Sequence, residues 1–267
     1  MKIAWAVNPK VNPENKDTNG ENIFLPFTKG ETFDALLVSG HIASIEHFAN
    51  LALQLKNMFP GKEILFNPTA DCLPKGKHYQ TLTVACNSIP ACNLTVKGVV
   101  RTFDRVALFG AIGCEDPASI HVDEIPEERL GRNETKGVED LDIRSINQAR
   151  ALTVLVRTAA RDRNIAHHVI ALGTNPHKEG FTYHDKDKEN AVAPWFTSRA
   201  LADFFAYRDT LRTVVPATVL LSMGEELREY RVGKNFHFIN GGGYKKPGGN
   251  QYILEINEKG LQSFRRL

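Results

Sequence analysis

The sequence predicts an α+β fold, mainly antiparallel β-sheet with three principal helices packed on one face. Three observations predict it. Strand-like runs follow one another near the N-terminus before the first helix pattern. Three later segments space their apolar residues as helices do. Two C-terminal strand-like runs flank a glycine loop, as the arms of a hairpin would.

Residues 2–7 form a first strand. Residues 8–20 are polar, carry two Asn-Pro pairs, and read as a loop. Residues 22–27 and 31–38 are two further strands about a Lys29-Gly30 turn. Ser39-Gly40 opens a helix to about residue 58, with Ile45, Phe48, Ala49, Ala52, Leu55 and Phe59 on its apolar side and Pro60-Gly61 as its stop. Strands follow at 62–66, 79–87, 93–100 and 105–112. Asp142 caps a second helix to about residue 163, whose apolar side is Ile146, Ala149, Leu152, Leu155, Val156 and Ala159. Residues 165–172 are a strand, 174–190 a polar loop, and 198–212 a third helix. Residues 213–221 form a β-branched strand in which Pro216 indicates an edge or the first residues.

The expected organisation is a strand-rich half at 1–114, an acidic loop or linker at 115–141, and a second half at 142–267, the two halves also being compatible with a single domain. Residues 115–142 hold ten Asp/Glu against three Lys/Arg, the composition of a solvated excursion.

Net charge is +2 over 267 residues, so nucleic-acid contact has to use local patches and not bulk charge. No stretch approaches 18 apolar residues, which argues against a membrane span. The opening apolar run is cut off by Asn8, Pro9 and Lys10, and reads as the first strand of a cytoplasmic protein, not as a signal peptide. Cys72, Cys86, Cys92 and Cys114 include no Cys-x-x-Cys and read as free thiols in a reducing compartment.

No metal or cofactor is expected. His167 and His168 are adjacent, so on a strand they point to opposite faces. His177, His184 and Asp185 have no recognised ligand spacing, and His41 and His47 do not share a helical face. The glycine loop lacks the Gly-Lys-Ser/Thr ending of a phosphate-binding loop and leads into a strand, which also excludes a dinucleotide fingerprint. No Gly-x-Ser-x-Gly elbow accompanies Ser39-Gly40-His41.

The loop itself runs from Asn240 to Asn250 and holds five glycines, Tyr244, Lys245, Lys246 and a proline. Glycines such as Gly242 and Gly243 let backbone N–H groups approach a ligand, the lysines add charge, and Tyr244 offers a ring on which a base stacks. From Leu227 onward there are eight Lys/Arg and three Asp/Glu. Arg150, Arg157 and Arg161 share one face of the second helix, where they suit a phosphate backbone, a solvated surface, or ion pairs with the acidic segment. The first reading is a single-stranded nucleic-acid-binding protein, RNA favoured over duplex DNA. Its expected partner is single-stranded RNA or DNA, with no membrane, and the chain is compatible with a homo-oligomer.

A second reading is a metal-independent ribonuclease with His41 as the base that takes a proton from a ribose 2′-hydroxyl. In this respect the chain resembles Cas6-type RNA endonucleases, in its size, in a histidine near the first helix, and in a glycine-rich loop near the C-terminus. The loop here, GGGYKKPGG, lacks the basic stretch between two Gly-hydrophobic-Gly units that the family shows. A third reading is a structural or interaction accessory protein of viral or phage type, with the acidic segment and the glycine loop as partner surfaces.

Overall fold

In the computed structural model of the chain, strands from both ends of the sequence meet in one sheet. The structure describes residues 1–30, 32–69, 72, 101–111, 149–173, 175–176, 197–222, 226–243 and 246–267. In chain order the strands are β1 (Lys2–Val7), β2 (Ala35–Gly40), β3 (Glu63–Pro68), β4 (Arg101–Phe103), β5 (Val106–Ala111), β6 (His167–Leu172) and β7 (Asn175–Pro176). They continue with β8 (Thr197–Ser198), β9 (Ala217–Leu221), β10 (Arg228–Val232), β11 (Phe236–Asn240), β12 (Asn250–Asn257) and β13 (Gly260–Arg266). The four helices among the described residues are α1 (Gly20–Phe24), α2 (Phe48–Met58), α3 (149–159) and α4 (Arg199–Asp209).

The first sheet has the order β13-β12-β1-β2-β3 and the second β10-β11-β9-β6-β5-β4, with β7 and β8 as a separate short pair. Strands β1, β2 and β3 are parallel neighbours, and so are β5, β6, β9 and β11. The antiparallel pairs are β1–β12 and β12–β13 in one sheet and β10–β11 and β4–β5 in the other. The fold is therefore α/β with two mixed sheets, not mainly antiparallel. The reason lies in the connections: crossovers bearing α1, α2, α3 and α4 carry the chain back to the end where the previous strand began, as parallel pairing requires.

Three apolar layers hold the sheets. Ile3, Trp5, Val7, Ala35, Leu37 and Leu65 of the first sheet pack between the sheets against Leu108, Val169, Ala171, Leu220 and Ile239 of the second. The alternate residues Ala4, Ala6, Leu36, Val38, Ile64 and Phe66 pack outward, with Phe24, Phe48, Leu51 and Leu55 of α1 and α2. On the far side Phe109, Ile170, Val219 and Phe238 pack with Leu152, Val156, Leu201 and Phe205 of α3 and α4. Helices thus cover both outer faces, where the sequence predicts one. Strands buried on both sides read as continuous apolar runs, as parallel strands do.

Several expectations are corrected locally. Residues 22–27, strand-like in composition, form α1 and a 3₁₀ turn at Leu25–Thr28: Asn19 Oδ1 caps the helix by accepting from Asn22 N, and Pro26 sits in the turn. The strand expected at 31–38 is β2, shifted to Ala35–Gly40, so Ser39-Gly40 ends a strand and does not open a helix. Of the two alternatives for Pro216, the start of the strand holds: it stands just before β9, its carbonyl accepting from His168 N, while β9 itself is an interior strand. β5 pairs with β6 and β12 with β1, and residues 115–141 lie outside the described residues.

The largest correction concerns the glycine loop. Its flanking strands β11 and β12 lie in different sheets, so it is a crossing between sheets and not a hairpin turn. The hairpin in this region is β10–β11, tied at Lys234 and Asn235 by backbone N–H donation to the Asp209 carboxylate. No helix among the described residues is long and apolar enough to cross a membrane.

Candidate functional site

In open α/β sheets, ligands sit outside the carboxyl ends of the parallel strands. Here those ends come together from both sheets. Strands β1, β2 and β3 lead into Asn8, end at Ser39-Gly40, and end at Asn67-Pro68, while β9 and β11 lead into Ser222 and Gly241.

Asn8 links the two edges. It is fully buried and takes a left-handed conformation, φ 51°. Its Nδ2 donates to the carbonyls of Ser222 at 2.6 Å and Gly242 at 3.1 Å, both from the second sheet's side. Its Oδ1 accepts from His41 N at 2.9 Å, and its own N–H donates to the Ser39 carbonyl at 2.8 Å. Asparagine tolerates the left-handed region better than most residues because its short polar side chain bonds locally. Lys10 has the same φ of 51°, with its N–H on the His41 carbonyl at 3.0 Å. Two non-glycine residues held in this region within three positions are an outlier that functional edges often contain.

Around Asn8 the edge is lined by neutral polar groups. Trp5 Nε1 donates to Ser39 Oγ at 2.8 Å between the sheets. Asn67 is paired in register with Ser39 and alternates with Phe66, so it also faces between the sheets. It is fully buried, and among the described residues neither its Oδ1 nor its Nδ2 has a hydrogen-bond partner. Asn250 Nδ2 and the Tyr252 hydroxyl both donate to the Gly241 carbonyl, at 2.8 and 2.6 Å.

Four of the five loop glycines are explained by close approach, and Gly248 by its positive φ of 72°. A Cβ on Gly241 would lie 2.6 Å from Val7 Cγ2, and one on Gly242 2.6 Å from the Glu226 carbonyl carbon. One on Gly249 would overlap the carbonyl oxygens of Val7 and Asn8. Gly242 and Gly243 are buried, and Gly242 N donates to Asn240 Oδ1 at 3.1 Å. Their freedom is used to carry the backbone across the first sheet's edge.

Lys246 is exposed in a tight turn, with its N–H on the Gly243 carbonyl and its own carbonyl accepting from Gly249 N, both at 3.0 Å. Partial burial and the neighbouring Arg266 guanidinium lower its ammonium from the usual lysine range. Arg266 Nη2 in turn donates to Asn250 Oδ1 at 2.6 Å. Tyr244 and Lys245 lie outside the described residues, as do His177, His184, Asp185, Cys86, Cys92 and Cys114.

His41 is partly buried just past the end of β2, at this edge. Arg150, Arg157 and Arg161 are exposed on α3, which covers the outer face of the second sheet, and just beyond its end. The helix leads toward the amino end of β5, where Arg105 Nε donates to the Asn164 carbonyl at 3.3 Å. Its arginines therefore run away from the edge that holds the glycine loop. Arg208 of α4, close to Arg157, is lowered from the usual arginine range by burial first and by Arg157 second.

His167 lies between the sheets with Nε2 3.0 Å from Thr218 Oγ1, and His168 lies on the opposite face, edge-on to Phe109. Burial holds both down to about 4. Cys72 is buried, and its sulfur accepts from Ile42 N at 3.3 Å. Among the described residues no three His, Cys, Asp or Glu side chains are grouped so as to hold a metal ion.

Asn8, Asn67, Ser222, Asn250 and Arg266 do not stand out in the sequence by motif or spacing. A signal for three of them exists: the apolar runs of β1, β3 and β9 are each followed or closed by a short polar residue, Asn8, Asn67 and Ser222.

No family model matches the chain, and no curated protein matches it. Among solved structures it is similar to the protein TT1561 of Thermus thermophilus, at 12% identity and a TM-score of 0.54, over 99% of this chain and 98% of that one. At that identity the likeness concerns the fold.

Proposed function

We propose that the protein binds single-stranded nucleic acid, RNA favoured, along the edge where the parallel strands of both sheets end. The observation that carries this reading is the exposed Lys246 beside Arg266 on the loop that crosses that edge. Two cations at this edge attract a sugar-phosphate backbone, while the neutral amides Asn8, Asn67 and Asn250 add no repulsive charge. Tyr244 and Lys245, which precede Lys246 in the sequence, are proposed as the stacking ring and a further phosphate contact. Arg150, Arg157 and Arg161 supply a second positive surface on the outer helix. Filter binding of labelled single-stranded RNA at two salt concentrations tests the reading: the Lys245→Ala/Lys246→Ala protein retains less RNA and shows a flatter salt dependence. Equal retention by both proteins removes the loop from the account.

One observation favours a second reading, RNA cleavage. His41 stands at the same edge, with its backbone N–H fixed by Asn8 Oδ1. An imidazole there can take the proton of a 2′-hydroxyl whose oxygen attacks the adjacent phosphorus, releasing a 5′-hydroxyl strand. Incubation of labelled RNA in EDTA separates the readings. Site-specific cleavage lost in His41→Ala supports the enzyme, and an intact, retarded RNA supports the binder.

A further inference from the structure

Strand β13 closes the first sheet, and its last residues reach the same edge as the glycine loop. Arg266 is the cross-strand partner of Tyr252, and two residues earlier Phe264 stacks on that ring, 4.8 Å between centroids. Cross-strand partners share a face, so Arg266 stands on the side that looks toward the second sheet. Its guanidinium is oriented by the bond to Asn250 Oδ1, and Asn250 is itself buried and locked to the Gly241 carbonyl. Lys246 projects from the turn between Gly243 and Gly249. Both side chains are exposed, and among the described residues neither has a carboxylate within ion-pair distance. Holding two cations together with no counter-charge is unfavourable on its own, and an anion between them relieves it.

We infer that Lys246 and Arg266 form a two-pronged subsite for one phosphate group of the bound strand, with Arg266 as its oriented member. The inference rests on the nucleic-acid reading for the identity of the anion, and for the subsite on Asn250, which holds Arg266 by its Oδ1 and packs against Gly243 at the start of the Lys246 turn. Arg266 presents a planar fork fixed by Asn250, which suits two oxygens of one phosphate, and Lys246 adds a movable point charge. The neighbouring Arg265 provides the control, because alternation along β13 sends it to the other face.

The test uses the whole chain and two probes, a fluorescein-labelled single-stranded oligouridylate and inorganic tripolyphosphate. Arg266→Gln and Lys246→Gln each weaken oligouridylate binding about tenfold and lower the salt slope by about 0.7, the share of one phosphate on a single strand. Arg265→Gln changes neither beyond about twofold, and Arg266→Lys recovers only part of the loss. Tripolyphosphate shifts the backbone amide resonances of Gly249 and Gln251 in the wild type and not in Arg266→Gln. RNA binding that is equal in Arg266→Gln and Arg265→Gln overturns the subsite and leaves the nucleic-acid reading standing. Amide shifts with tripolyphosphate but no oligouridylate binding support the subsite and overturn that reading. No response to either probe overturns both.

Discussion

The Asn8 side chain donates to the Ser222 carbonyl at 2.6 Å across 214 residues of sequence, and this bond joins the edges of the two sheets. The same amide reaches the Gly242 carbonyl and holds His41 N, so one residue fixes β1, β2 and the glycine crossing relative to β9. Replacing Asn8 by alanine leaves two buried carbonyls and one N–H short of a partner. It is expected to cost about 3 kcal/mol or more, each buried orphan costing about 1–3 kcal/mol. Asn8→Gly loses the same bonds but accepts φ 51° freely, and should be about 1 kcal/mol less harmful than alanine. Urea unfolding of both variants checks the order.

The glycines of the crossing divide into two kinds. Gly249→Ala would drive a methyl group into the Val7 and Asn8 carbonyls, and is expected to cost about 3 kcal/mol or to prevent folding. Gly248 has φ +72° but nothing within 4 Å of an added Cβ, so Gly248→Ala should cost only the conformational term, about 1 kcal/mol. Thermal unfolding of the pair distinguishes a packed crossing from a loose loop, in which both substitutions would cost the same small amount.

Stability should fall in mild acid because of two buried histidines. His167 and His168 are held down to about 4 by burial, against 6.5 in the unfolded chain. Between those values the unfolded chain binds more protons, so their contribution is complete above pH 6.5 and is lost as pH falls from 6.5 to about 4. The loss is on the order of 3 kcal/mol for each histidine, given 1.36 kcal/mol per pH unit. Denaturant titrations across this range, repeated with His168→Phe, should show a shallower decline in the variant.

Much of the fold is legible in the chain, though in a different arrangement. The apolar runs at 2–7, 62–66, 105–112 and 165–172 each contain a strand, and α2, α3 and α4 follow their apolar spacing. Their direction is not legible from the runs alone, since a run buried on both faces and an edge run differ only in composition. Runs such as AWAV in β1 and VALF in β5 do carry the parallel-sheet composition. Residues 22–27 mislead because Phe24 and Phe27, aromatic as in a strand, stack on each other across a helical turn.

The site is less legible for a physical reason. Asn240 to Asn250 stands out by glycine content, but two of those glycines, Gly241 and Gly249, serve close approach to Trp5, Val7 and Asn8, more than 230 positions away in sequence. Asn8 and Arg266 have ordinary sequence surroundings, and their roles arise only when β1 and β13 meet the crossing. Arg150, Arg157 and Arg161 are all exposed, as their spacing on one face implies, but α3 carries that face to the outside of the second sheet.

We propose that this edge takes a single strand of RNA. Fluorescence anisotropy of a labelled single-stranded RNA, in competition with unlabelled duplex DNA and at two salt concentrations, tests it most directly. Saturable binding is expected that resists the duplex competitor and weakens with salt by a slope of about 0.7 for each phosphate engaged. Anisotropy that stays flat across the titration, or binding displaced equally by duplex DNA, would contradict it.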